Sequence, residues 1–71
     1  MTPTRLAEIG VLLYGPHWQQ PMGVALHVAR RTVQRWVSGA EEIPAGLAYE
    51  IADLCRYRAA KMIEAAEGLA A

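Results

Sequence analysis

The stretch Gln19–Ser38, QQPMGVALHVARRTVQRWVS, decides how this chain folds. Its apolar residues fall at Met22, Leu26, Val28, Val33 and Trp36. Met22 and Leu26 are four apart and share one helix face; Val33 and Trp36 are three apart and share a face of a second helix. Val28 lies in the short link and can fill the angle where the two helices cross. Gly23 offers no side chain where the second helix must come close. Two short helices joined in this way make a helix-turn-helix. On the outer face of the second stand Arg30, Arg31, Gln34, Arg35 and Ser38, each able to hydrogen-bond to a base edge or a phosphate.

The flanking sequence supplies two more helices. The first runs from Pro3 to about Tyr14, with Thr2 as its cap and Pro3 in the first helical position. Leu6, Ile9 and Leu13 form its buried stripe, and Gly15-Pro16 ends it. Trp18 either packs at the start of the second helix, about Gln19 to Leu26, or turns its N–H to a phosphate; packing is the reading adopted. Pro21 sits in that helix's first turn, where a missing N–H costs nothing. The third helix covers about Arg30 to Ser38 and stops at Gly39. After the loop Ala40–Ile43, a fourth helix is expected from Pro44 to about Glu67, spanning roughly 35 Å at 1.5 Å per residue. The fold class is therefore all-α, a small four-helix domain with a helix-turn-helix and a long C-terminal helix.

Seventy-one residues make one domain at most, and a core this small often needs a staple or a partner subunit. Cys55 is the only cysteine, so no intramolecular disulfide forms. It reads as a buried small residue in a reducing cytoplasm. Cys55, His17 and His27 show no metal-ligand spacing, and neither a cofactor nor a small-molecule ligand is expected. No signal peptide and no membrane span is read from the apolar runs. An enzyme is not expected either: no nucleophile has a base at a recognised spacing, and no phosphate-cradling loop is present.

The formal net charge is zero, but the charge is unevenly placed. Residues 1–40 hold Arg5, Arg30, Arg31 and Arg35 against Glu8 alone. Residues 41–71 hold Arg56, Arg58 and Lys61 against six carboxylates. Such asymmetry suits a DNA-facing end and a solvent- or partner-facing end. Glu41 and Glu42 read as a solvated acidic loop, or as a screen against wrong DNA registers, or as part of a dimer contact. The fourth helix carries two adjacent apolar stripes, Leu47, Ile51, Leu54 and onward, and Ala48, Ala52, Cys55, Ala59, Ile63 and Ala66. A three-helix body covers only the first turns, so residues 56–71 have little of their own chain to pack on. A second copy of the same helix is the simplest cover, with Cys55, Ala59, Met62, Ile63 and Ala66 in the contact.

The order Gln19, Met22-Gly23, Leu26, Val28, Arg31-Thr32-Val33, Arg35-Trp36, Ser38-Gly39 resembles the lambda-repressor-like (Cro-type) helix-turn-helix family of DNA-binding regulators. The resemblance covers roughly residues 3–55, and the run RRTVQRWVSG followed by EEIP carries most of it. It implies a helix-turn-helix domain over 1–55 and a dimerising extension over 56–71. It implies a third helix in the major groove, with Arg30, Arg31, Gln34 and Arg35 on base edges and Ala29 near the groove. Arg30 can instead face the DNA backbone. Gln19, Thr32 and Ser38 would contact phosphates, and His17 would be an exposed loop residue beside them. Two positions depart from the family pattern. His27 stands where the link usually carries glycine, and a non-Gly residue with positive φ is uncommon, though His is among the types enriched there. Ala29 replaces the usual Ser or Thr cap and forgoes about 1 kcal/mol. The function so implied is a dimeric transcriptional repressor on a two-fold operator in double-stranded DNA. Its place would be the cytoplasm, at the nucleoid, and proteins of this kind are common in phages and mobile elements. The alternatives are an antitoxin-type DNA-binding protein that also clamps a partner protein, and a helical adaptor that binds no DNA.

Overall fold

A computed structural model describes residues 1–70. Among the described residues there are four helices and no strand: α1 Pro3–Tyr14, α2 Gln19–Leu26, α3 Arg30–Ser38 and α4 Leu47–Ala70. The chain is all-α, and α1, α2 and α3 have the bounds that periodicity and punctuation predict.

Local chemistry sets most of these bounds. Thr2 is extended, and its hydroxyl accepts the Arg5 N–H at 3.1 Å, capping α1. Gly15, at φ 82°, turns the chain out of α1 while its N–H donates to the Val11 carbonyl. Between α2 and α3 the left-handed residue is His27, at φ 59° and ψ 39°. Its N–H donates to Val24 and the Val28 N–H donates to Gly23, which closes the end of α2. A Cβ on Gly23 would stand 2.8 Å from the Val28 carbonyl oxygen, so the turn closes this tightly only over glycine.

The core joins all four helices: Leu6 of α1, Trp18 before α2, Met22, Val33 and Trp36 of the helix-turn-helix, and Leu47 and Ile51 of α4. Ile9, Leu13, Leu26 and Val28 pack half-buried around it. Trp18 is 5 % exposed and packs as part of the core. Its ring lies against Gly10, in the space a Cβ would occupy.

The fourth helix departs from expectation at both ends. It begins at Leu47 rather than Pro44, because Pro44 to Gly46 form a turn in which the Leu47 N–H donates to the Pro44 carbonyl. It runs through Gly68 to Ala70 rather than stopping near Glu67. Gly68 takes no left-handed backbone there, and alone it lowers helix stability without ending the helix. Beyond Cys55 every described residue is exposed, and the molecule measures 48 × 22 × 21 Å. One residue past Cys55 does return to the body, against expectation. Arg58 donates to the Leu13 carbonyl at 3.0 Å and lies 5.1 Å from the centre of the Tyr14 ring. A cation at the C-terminus of α1 also complements the helix dipole.

Candidate nucleic-acid interface

α3 is held from behind and open in front. Val33 and Trp36 are buried against the core, and Thr32 and Val37 are half-buried on the two flanks. Arg31, Gln34, Arg35 and Ser38 are exposed and, at 100° per residue, fall within about one-third of the helix circumference. The side chains expected on base edges thus share one surface, which Arg30, one turn before Gln34, extends at its edge.

Arg30 stands at the edge of that surface. It lines a cleft with Pro16, His17, Gln19 and Gln20, where the start of α2 meets the start of α3. The structure therefore groups Arg30 with Gln19, the residue expected on phosphate, as well as with Gln34 one turn further along α3. Gln20 and His17 share this cleft. Sequence reasoning passed over Gln20, although it follows Gln19 in the first turn of α2.

Both helix starts are electrostatically uncompensated. Neither Trp18 nor Ala29 makes a side-chain capping bond, and neither first turn contains an acidic residue. At the start of α3 the charges are Arg30 and Arg31, which oppose the helix dipole. Ion pairs among the described residues engage Arg5, Arg35, Arg56 and Lys61, while Arg58 is bonded to Leu13. Arg30 and Arg31 remain unpaired among the described residues. Two free guanidiniums beside open helix N-termini form an anion-attracting surface.

Two expected phosphate ligands sit differently. The Ser38 hydroxyl donates to the Arg35 carbonyl at 3.2 Å and accepts the Ala40 N–H at 3.3 Å. Both bonds help to close the end of α3 within the chain itself. Thr32 is half-buried on the flank away from Gln34, one turn before Arg35.

The residues expected at a dimer contact divide into two groups. Cys55 packs half-buried against the core of its own chain. Ala59, Met62, Ile63 and Ala66 are exposed, with Met62 68 % and Ile63 59 % accessible. Among the described residues no helix is long and apolar enough to cross a membrane, and no three His, Cys, Asp or Glu groups gather as metal ligands. Comparison of the chain with protein-family models, with curated proteins and with solved structures returns no match.

Proposed function

We propose that this protein is a sequence-specific DNA-binding regulator, a dimeric repressor that lays α3 in the major groove. The observation that carries the reading is the arrangement of α3: Val33 and Trp36 buried behind, Arg31, Gln34 and Arg35 exposed in front. A helix so mounted presents its polar side chains at the depth and width of the major groove. The cleft of Gln19, Gln20, His17 and Arg30 flanks it, in the position where a helix-turn-helix meets the phosphates. These features support kinship with lambda-repressor-like proteins.

The dimer is part of the same proposal. The net positive charge of the first forty residues is small, so one copy gains limited affinity from counterion release. Two linked copies gain through effective concentration. Met62, Ile63 and Leu69 on the distal part of α4 form an apolar face that a second copy would cover, at about 25 cal/mol per Å² buried.

The deciding experiment is binding-site selection from a random duplex pool, followed by titration of Arg31→Ala and Arg35→Ala. Each should weaken binding to the selected duplex by about 1–3 kcal/mol with circular dichroism unchanged. If no sequence is enriched, or if both variants bind as wild type does, the reading fails.

A further inference from the structure

A groove lies open between α1 and the proximal half of α4. Ile9 of α1 and Ile51, Ala52 and Cys55 of α4 form its apolar walls, and Arg5 and Arg56 line it too. Ile51 is buried, whereas Ile9, Ala52 and Cys55 are covered only in part. The same face of α4 continues past the groove. At 100° per residue, Ala59 and Ala66 fall in line with Ala52 and Cys55. One edge of this line carries Ile51, Met62 and Leu69, and the other carries Arg56, Ile63 and Glu67, each set within about 40°. Arg58 lies on the first edge and donates to the Leu13 carbonyl, so that edge is the one nearer α1. In the distal half the face is uncovered, with Met62, Ile63 and Leu69 at 68 %, 59 % and 89 % exposure. The two halves also differ in charge. Arg5 and Arg56 bring cations to the groove, and their carboxylate partners Glu8 and Asp53 do not line it. The distal half carries Glu64, held by Lys61, and Glu67, which has no ion pair among the described residues.

We propose that the distal half of α4 from a second copy fills this groove, in an antiparallel two-fold pair in which Arg56 of each copy meets Glu67 of the other. The proposal rests on the dimer reading above and names the surface into which the second copy docks. In a two-fold contact the same patch serves both copies, each supplying the groove and its filling. For antiparallel helices that rotation returns each edge of the stripe to the same edge of the copy. Arg56 and Glu67 share an edge about three turns apart, so they pair reciprocally about an axis beside Met62. This register sets Leu69 of the second copy level with Leu54 and Cys55, on the edge nearer α1, at the mouth of the groove beside Ile9. The small side chains of Ala52, Cys55, Ala59 and Ala66 allow the two helices to approach closely. A parallel pair brings the Arg56 edge of one copy against the Arg58 edge of the other, cation against cation.

The test is charge reversal, read as the dimer dissociation constant by sedimentation at low salt. An exposed ion pair is worth up to roughly fivefold, and here it occurs twice. Arg56→Glu and Glu67→Arg each turn two attractions into two repulsions, so each should weaken the dimer by about tenfold or more. The double variant R56E/E67R restores both attractions and should return to within about threefold of wild type. Circular dichroism should be unchanged throughout, because both side chains are exposed. Arrangement is tested separately with Arg56→Cys and Glu67→Cys, each in a Cys55→Ala background, and a short thiol-reactive cross-linker. Mixing the two should give a covalent heterodimer, and neither alone should link to itself. A wild-type dimer indifferent to both reversals, single losses without restoration in the double variant, or linkage of like with like overturns the groove and leaves the dimer reading standing. A wild-type protein that sediments as a monomer overturns the dimer reading, and this proposal with it.

Discussion

Gly10 is a glycine in the middle of α1, where propensity alone favours alanine by about 1 kcal/mol. The Trp18 ring occupies the space a Cβ would need, so an added methyl overpacks the core. Overpacking costs about 1–3 kcal/mol, which outweighs the helical gain. Gly10→Ala should therefore lower stability by up to about 2 kcal/mol, read as a lower urea midpoint with an unchanged slope. An unchanged or higher midpoint would show that Trp18 moves aside freely. His27 has the opposite expectation. It holds φ 59° without glycine's freedom, a conformation costing an L-residue roughly 1–2 kcal/mol. His27→Gly removes that cost but adds unfolded-state entropy, leaving a net gain of about 0.5–1 kcal/mol in the same titration. These residues also differ in legibility. His27 and Gly23 act within their own turn, so spacing along the chain reveals them. Gly10 acts through an aromatic ring eight residues on, and nothing local marks it.

At the scale of elements, α4 is the informative case. Its first turns belong to the core through Leu47 and Ile51, and its distal turns expose Met62, Ile63 and Leu69. Heptad-like patterning made the apolar stripes legible but not the start of the helix, because Pro44 suits both a first helical turn and a loop. The Pro44–Gly46 turn delays the helix until Leu47 faces the core. The anchor supplied by Arg58 was equally hidden, since a guanidinium within an apolar stripe reads as an interruption. Its partners, the Leu13 carbonyl and the Tyr14 ring, lie 45 and 44 residues back in the chain. The proposed dimer is tested on this element. Met62→Asp combined with Ile63→Asp places two charges on the exposed face and touches no core residue. Circular dichroism should be unchanged, and sedimentation at micromolar concentration should move from dimer to monomer. A wild-type protein that sediments as a monomer would remove the second copy from the proposal and leave that face to a different protein.

At the scale of the whole molecule, the unpaired cations and the largest uncovered apolar side chains of α4 belong to different elements. The unpaired Arg30 and Arg31 stand at the start of α3, and the uncovered apolar face lies along distal α4. The proposed contacts with DNA and with a second copy thus use separate surfaces. The dimer prediction then extends to DNA. The double Asp variant should lose about a hundredfold or more on a duplex with two half-sites about 10 base pairs apart, and should match wild type on a single half-site. The sequence by itself determined the all-α class, the bounds of α1 to α3 and the residues on the outer face of α3. Helical period, caps and glycine stops are local physics, complete within a few residues. Only the tertiary structure decided that Trp18 belongs to the core against Gly10, that Arg30 joins the cleft of Gln19, and that Ser38 closes its own helix. It also paired Arg35 with Glu41 and tied Arg58 to α1. Each of these depends on which elements meet in space, and packing sets that geometry rather than spacing along the chain.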